Sequence, residues 1–271
     1  MSHDTAPTRA ILPPELDGER LDRALAALLG ISRGAARRAI AAGGAYLDGR
    51  RCKVASRVCH TGARLECHPP SVPAGPPAHP PPRVVWEDGA LAVVDKPADM
   101  PTGAIRETDR GTLEAWIRRR FGGRPHLPQR LDRRASGLLL VVLDPSLNRA
   151  ISEALRQRRV TRIYRARIDG EPPREADRLV GQVDGKRASL RYRLLAPGVM
   201  EVQLETGRTH QIRRQLAEIG CPLLGDPRYG GPRGPLALRA ERLAFDHPRS
   251  GQRVDLRVAE FGDDPQKTEA V

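Results

Sequence analysis

The stretch Gln129-Arg130-Leu131-Asp132-Arg133-Arg134-Ala135-Ser136-Gly137 runs directly into Leu138-Leu139-Leu140-Val141-Val142-Leu143. The second half is a continuous apolar run of strand length, which predicts a buried strand. The first half places one carboxylate, Asp132, among arginines at the edge of that strand. An aspartate in this position suits chemistry on a polyanion, although an aspartate beside arginines is also commonly a salt-bridged turn residue.

The composition of the 271-residue chain favours a nucleic-acid partner. The formal net charge is +13, which predicts attraction to phosphate backbones or to an anionic membrane surface. No apolar run approaches the roughly 18 residues that a membrane span needs, and residues 1–11 are polar, unlike a signal peptide. We therefore expect a soluble, cytoplasmic and monomeric protein that binds nucleic acid and no membrane.

The cysteines favour neither a metal site nor a disulfide framework. Two of the four stand before a histidine, as Cys59-His60 and Cys67-His68, and the others are Cys52 and Cys221. Structural zinc sites typically use a Cys-x2-Cys type of spacing, which is missing. We expect reduced thiols, no bound metal and no cofactor.

A proline-rich stretch divides the chain into two parts. The sequence from Pro70 to Pro82 is PSVPAGPPAHPPP, and proline at this density forms neither a helix nor a central strand but a stiff, extended linker. We predict a small domain over residues 12–68, a linker over 69–83 and a larger domain over 84–262.

The N-terminal part predicts two short helices and a hairpin. Leucines recur at helical spacing from Leu21 to Leu29, with Gly30 as the helix end. Ser32 is placed to cap a second helix, and Asp48-Gly49 is a hairpin turn signal. The pattern resembles the S4-type RNA-binding domain over roughly Glu15 to Cys67.

Arginines on the second predicted helix are candidates for RNA binding. The candidates are Arg33, Arg37 and Arg38. A run of charge is more commonly a solvated helix face, but further basic residues would extend the same surface, namely Arg50, Arg51, Lys53 and Arg57.

The C-terminal part mixes strands with separate helices. Asp88-Gly89 separates two strand-like runs, the second of which ends in Lys96-Pro97. Helices are predicted after Thr112 and Asp144 and over about 208–220, with strands over 162–168 and 199–205. This arrangement indicates an α+β domain.

Three motifs in this part resemble the RluA-type pseudouridine synthases of ribosomal and transfer RNA. They are Arg130-Leu131-Asp132, then Ile163-Tyr164-Arg165-Ala166, then Gly207-Arg208-Thr209-His210-Gln211-Ile212-Arg213. The resemblance covers about residues 84–256 and implies a larger mixed, mainly antiparallel sheet with flanking helices. It also implies isomerisation of uridine in RNA, a redox-neutral reaction that breaks the N1–C1′ bond and joins C5 to C1′ without a cofactor.

The resemblance implies a role for each candidate residue. Asp132 is the essential carboxylate, either as nucleophile at C1′ or as base at the ribose. Arg208 pairs with Asp132 and keeps it ionised. Tyr164 stacks on the target uracil, Ile212 contacts it, and Arg130 fills the gap that the extruded uridine leaves.

Each of these residues also has an ordinary alternative. Tyr164 could pack within its strand, and Ile212 could be one core residue of an amphipathic helix. Arg208 could bind phosphate at a helix N-terminus, and Arg130 could be a nonspecific phosphate anchor.

The chain departs from the family pattern at four positions. Gln129 stands where the family usually has histidine, and Ala135 where it has threonine. Arg214 and Gln215 stand where it often has valine and histidine. These departures leave the predicted catalytic set intact and bear on loop hydrogen bonding and on the choice of substrate.

The leading hypothesis is a site-specific uridine isomerase acting on structured RNA, above all ribosomal RNA, with an S4-like targeting domain. The alternatives are a tRNA-directed synthase and a noncatalytic RNA-binding or ribosome-assembly protein on the same scaffold. A base deaminase would need zinc ligands in a His-x-Glu and Pro-Cys-x-x-Cys arrangement, which the sequence lacks.

Overall fold

The computed structural model describes residues 8–68, 79–103, 111–123, 125–258 and 268–270. The chain divides into two compact units, one of residues 1–77 with 103–115 and one of residues 78–102 with 116–271. Most of the predicted linker over 69–83 and the last residues of the predicted larger domain, 259–262, lie outside the described residues. The predicted domain boundaries stay a prediction.

The first unit is built from two helices and a small antiparallel sheet. Its elements are β1 (Thr8–Ile11), α1 (Leu21–Leu29), α2 (Arg33–Ala42), β2 (Ala45–Leu47), β3 (Arg50–Arg51) and β4 (Arg64–Cys67), with strand order β1-β4-β2-β3. The Ser32 hydroxyl accepts a hydrogen bond from the Ala35 N–H at 3.1 Å, which caps α2 as predicted. Asp48 and Gly49 both have positive φ, as a two-residue hairpin turn of this kind requires.

The second unit is dominated by one large sheet of ten strands. Its strands are β5 (Arg83–Glu87), β6 (Leu91–Lys96), β7 (Ser136–Val142), β8 (Thr161–Arg167), β9 (Ala176–Val183), β10 (Lys186–Ala196), β11 (Val199–Leu204), β12 (Leu238–Asp246), β13 (Arg253–Val258) and β14 (Thr268–Ala270). The path is β5-β6-β7-β12-β8-β11-β10-β9, with β13 beside β12 and β14 beside β13. Within the described part of the chain, only β7 and β12 pair in parallel, so the predicted α+β class with a mainly antiparallel sheet is confirmed.

Within the described residues, three further α-helices follow along the chain. They are α3 (Leu113–Phe121), α4 (Asn148–Arg156) and α5 (Gln211–Glu218). A short 3-10 turn precedes α4, and its start is fixed by Asp144, whose carboxylate accepts from the Ser146 N–H at 2.9 Å. No helix in the described ranges is long and apolar enough to cross a membrane.

Strand β7 is an interior strand of the sheet, between β6 and β12, and its first residues fix the loop before it. The apolar run from Leu138 to Val142 is almost entirely removed from solvent, which confirms the predicted buried strand. Gly137 has φ +110°, and a Cβ built there would lie 2.2 Å from the Ala240 carbonyl oxygen on β12. Only glycine permits this close approach, which brings the start of β7 against β12.

Candidate active site

Asp132 lies in the loop that leads into β7, at the mouth of a pocket. Its side chain is 22% exposed, and Oδ2 accepts a hydrogen bond from Arg213 Nη1 at 3.3 Å. The Asp132 carbonyl accepts from the Ala135 N–H at 3.2 Å, which closes the turn. The carboxylate is therefore held by a cation while one edge stays open to a ligand.

Arg213 is fixed from behind by a second carboxylate. Its Nε and Nη2 donate to the two oxygens of Asp226 at 2.6 and 2.7 Å, and the two side chains are 6% and 0% exposed. Burial by itself would lower the pKa of Arg213, but Asp226 and Asp132 raise it above its ordinary value. This bidentate pair leaves Nη1 to reach Asp132 in one fixed direction.

The partner of Asp132 differs from the prediction. Arg208, which was expected to pair with it, donates from Nε to the Arg187 carbonyl at 3.1 Å and is exposed. The physical reason is that α5 begins at Gln211, later than predicted. Arg208 thus lies in the turn before the helix, and Arg213 is the arginine that the first helical turn directs at Asp132.

The helix start is delayed by a compact set of hydrogen bonds. Gln211 Oε1 accepts from the Thr206 hydroxyl at 2.7 Å and from the Arg208 N–H at 3.1 Å. His210, the residue before the helix, has a left-handed backbone with φ 54°. These features keep residues 206–210 in a turn beside the pocket.

The pocket is partly open to solvent and is lined by the loop before β7, by β8 and by the turn that leads into α5. Tyr164 on β8 lines it and is 6% exposed, and burial raises the pKa of its hydroxyl. Ile212, 4% exposed, adds a second apolar wall. Arg130 and Arg208 also line the pocket, so the structure brings together all five candidate residues that were predicted for this part of the chain.

Comparisons with known proteins identify the family of the chain. A family model described as RNA pseudouridylate synthase matches residues 90–218, and an S4 domain model matches residues 19–65. An uncharacterized RNA pseudouridine synthase of Chloroflexus aurantiacus is 38% identical, over 89% of this chain and 86% of its own length. The chain belongs to the RNA pseudouridine synthase family.

Two further relatives extend the comparison of this RNA pseudouridine synthase. The ribosomal large subunit pseudouridine synthase D of Zymomonas mobilis is 32% identical, over 92% of this chain and 93% of its own length. The solved structure of human RNA pseudouridylate synthase domain containing 1 has a TM-score of 0.55 at 23% identity. It covers 66% of this chain and 84% of its own, and it shows a shared fold.

The arginines predicted to bind RNA through the S4 domain are anchored by a buried carboxylate. Asp22 is fully buried and accepts from Nε of Arg33 at 2.9 Å, of Arg37 at 2.8 Å and of Arg20 at 3.2 Å. Burial would raise the pKa of Asp22, but these three arginines hold it well below its usual range. The side chains of Arg33 and Arg37 stay 43% and 54% exposed, and Arg38 is exposed beside them.

The loop of Asp132 is tied to the sheet by a buried lysine that the sequence analysis did not assign to the site. Lys96 at the end of β6 is fully buried, and Nζ donates to the carbonyls of Pro97 and Met100 at 2.8 Å and of Arg133 at 3.1 Å. Burial lowers the pKa of Lys96 to about 7. In the sequence, the Lys96-Pro97 pair at the end of a predicted strand marks the position of this lysine.

Other residues near the pocket were also missed. Arg213 lies in the third of the motifs above, but spacing alone does not show that its side chain joins Asp132 to Asp226. His210 and Tyr229 contact each other beside the carboxylate. Within the described residues, no cluster of three or more His, Cys, Asp or Glu side chains is arranged to hold a metal ion.

Proposed function

We propose that this enzyme converts specific uridines of large-subunit ribosomal RNA to pseudouridine, with Asp132 as the essential carboxylate and Arg213 as its partner. The observation that supports this most directly is the buried Asp226–Arg213 pair, whose remaining nitrogen meets Asp132 at the pocket. The relative from Zymomonas mobilis, aligned over nearly the whole chain, is named for the large ribosomal subunit. Because the proposed substrate is ribosomal RNA, we also propose that the enzyme is located in the cytoplasm.

The chemistry requires an ionised carboxylate beside the sugar. Attack at C1′ and proton removal from the ribose both need Asp132 without its proton. The guanidinium of Arg213 favours that ionised form because it is itself held by Asp226 and cannot turn away. Asp132 thus has a counter-ion that is fixed in place.

The pocket walls suit a uracil that has left its stack. The uracil ring packs against Tyr164 and Ile212, which are both nearly buried and present apolar surface. Once the N1–C1′ bond breaks, the ring turns in place, C5 bonds to C1′ and the C5 proton is lost while N1 regains one. Arg130, exposed at the rim, offsets the extrusion cost of a few kcal/mol by stacking and phosphate contact.

The S4 domain adds affinity for the RNA backbone. Its guanidinium groups on Arg33 and Arg37 are half-exposed and directed by Asp22, which preorganises them for phosphate oxygens. We place this domain at residues 12–68, followed by the linker 69–83 and the catalytic domain 84–262. Such contacts strengthen binding without reading sequence, so the choice of uridine rests on the shape of the RNA around the pocket.

The test is pseudouridine mapping in cells with and without the gene, by carbodiimide adducts and reverse-transcription stops on total RNA. We expect stops in large-subunit ribosomal RNA that vanish with the gene and return with the wild-type chain. Asp132→Asn should bind RNA normally and restore no stop, because the amide cannot serve as anion. Stops in transfer RNA alone would mean that the substrate is transfer RNA and not ribosomal RNA. No stops at any position would favour a noncatalytic RNA-binding role.

A further inference from the structure

His210 faces the proposed catalytic carboxylate from the turn before α5. Its Nε2 lies 3.8 Å from Asp132 Oδ1, and its Nδ1 lies 2.9 Å from the Tyr229 hydroxyl. The imidazole is 18% exposed. A neutral imidazole carries one proton, and which nitrogen holds it decides whether a donor or a lone pair faces Asp132.

The hydrogen bonds around Tyr229 and the Asp132 carboxylate favour one of these two forms. Arg214 Nε donates to the Tyr229 hydroxyl oxygen at 3.2 Å, and a guanidinium nitrogen can only donate. The tyrosine oxygen accepts from Arg214, and its own proton is free to point to His210 Nδ1. The Asp132 carboxylate can only accept, so the nitrogen that faces it, Nε2, is the one favoured to hold the imidazole proton, and Nδ1 then accepts from Tyr229.

We infer that Arg214 and Tyr229 are positioning residues of this site: they fix His210 in the tautomer whose Nε2–H points at Asp132. The inference rests on the proposed role of Asp132. Although 3.8 Å exceeds a hydrogen-bond distance, such contacts are often long without substrate and shorten in the complex. A neutral donor in this direction orients the carboxylate without neutralising its charge.

Arg214 makes this arrangement a property of this chain. The family pattern often has valine at this position, which could not donate to Tyr229. Arg214 is itself held by Asp184, whose carboxylate accepts from Nη1 at 2.7 Å and is 62% exposed. The turn of residues 227–229 also contains Arg228. The guanidinium of Arg213 lies over the Tyr229 ring, 4.9 Å from the ring centroid.

The charges that face His210 favour its neutral form. Burial lowers the pKa of His210, and so do the nearby cations Arg213, Arg228 and Arg214, whereas Asp132 opposes them. The net shift is downward, so the imidazole is neutral at pH 7. Protonation at lower pH would place a hydrogen on Nδ1 and break the acceptor role towards Tyr229.

The first test measures the tautomer directly, without RNA. Imidazole nitrogens of the uniformly nitrogen-15-labelled full chain are recorded by NMR, and the His210 signal is assigned by its loss in His210→Gln. We expect a wild-type spectrum with Nε2 protonated and Nδ1 unprotonated. Tyr229→Phe and Arg214→Val should each give averaged shifts of a tautomer mixture. Asp184→Asn, which removes only the exposed partner of Arg214, should leave the wild-type pattern.

The second test separates positioning from folding. Single-turnover rates on large-subunit ribosomal RNA should fall about 10-fold in Tyr229→Phe and Arg214→Val, with half-saturating RNA concentration unchanged, because second-layer partners that fix a histidine act on this scale. In Tyr229→Phe the acid limb of the pH–rate profile should move to higher pH, since the neutral imidazole loses a donor at Nδ1.

Three outcomes would overturn the inference. A wild-type His210 protonated on Nδ1 would do so, as would variant spectra identical to the wild type, or wild-type rates in both variants despite shifted tautomers. The proposed function fails by a different result, namely turnover by Asp132→Asn. The tautomer measurement is independent of that result because it needs no activity.

Discussion

Removal of Asp226 tests whether the buried pair behind Asp132 organises the site. In Asp226→Ala the Arg213 guanidinium, 6% exposed, loses two hydrogen bonds of 2.6 and 2.7 Å and keeps one of 3.3 Å to Asp132. Breaking a buried pair by removing one partner costs about 3–5 kcal/mol, because an uncompensated charge stays buried. Since Asp132 still compensates part of that charge, we expect the free energy of unfolding to fall by about 3 kcal/mol.

Urea unfolding followed by tryptophan fluorescence measures this loss in the right part of the molecule. The chain has two tryptophans, Trp86 and Trp116, and both belong to the second unit. The matched control is Asp246→Ala, which removes the partner of Arg253 from an exposed pair at 3.1 Å. Exposed pairs contribute about 0–1 kcal/mol, so the control should stay near the wild type.

Activity gives a second reading of Asp226→Ala. Arg213 would lose the anchor that aims Nη1 at Asp132, so the single-turnover rate should fall while affinity for RNA stays the same. The reasoning is refuted if Asp226→Ala unfolds within about 1 kcal/mol of the Asp246→Ala control and turns over at the wild-type rate. That result would mean that Arg213 is positioned by its helix alone.

Three further changes test other parts of the structure. Lys96→Met should remove a pH dependence of the free energy of unfolding. Because the pKa of Lys96 is lowered to about 7, the unfolded chain binds more protons at Lys96 than the folded chain between about pH 7 and 10, so the stability of the wild type relative to the variant should rise there by up to about 1.4 kcal/mol per pH unit. Urea midpoints of the two proteins that run parallel against pH would contradict this expectation. Gly137→Ala should lower the free energy of unfolding by at least about 2 kcal/mol, because its Cβ meets the Ala240 carbonyl; wild-type stability in urea would contradict the close approach. Arg37→Ala should weaken binding to all RNAs tested and reduce the slope of log affinity against log salt by about 1, and an unchanged slope in filter-binding titrations would show that Asp22 keeps this arginine from the RNA.

The features that the sequence predicted well are local ones. The apolar run from Leu138 to Val142 has the length of a buried strand, and it forms an interior strand of the sheet. The cap at Ser32 and the turn at Asp48-Gly49 each depend on one or two residues whose backbone preferences are strong. These elements follow from their own residues and need no distant partner.

The features that were missed depend on distant partners. The start of α5 was placed too early because the side-chain hydrogen bonds of Gln211 hold residues 206–210 in a turn, and propensity contains no such information. The hairpin of β9 and β10 was also missed, although the residues from Leu190 to Arg193 alternate between buried and exposed as in a half-buried strand. The choice of Arg213 over Arg208 followed from the same helix start.

Close to Asp132, the balance of charged groups differs from that of the whole chain. The chain as a whole is strongly basic at +13, which attracts RNA, but the group around the reaction centre contains two carboxylates, Asp132 and Asp226, and one guanidinium, Arg213. Arg130 and Arg208 also line the pocket, so the negative charge is local to Asp132 and does not extend to the pocket as a whole. In the proposed reaction, positive charge develops at the sugar when the N1–C1′ bond breaks, and a carboxylate beside it would stabilise that state.

This balance explains why the tautomer and the neutrality of His210 matter together. A protonated imidazole would place a positive charge beside Asp132, whereas a neutral one with its proton on Nε2 still orients the carboxylate. The cations that keep His210 neutral include Arg213 and Arg214, the residues that also anchor Asp132 and Tyr229. The arginines around His210 thus keep it from adding a positive charge beside Asp132, while the exposed arginines of the pocket rim and the S4 domain are the ones proposed to contact the RNA.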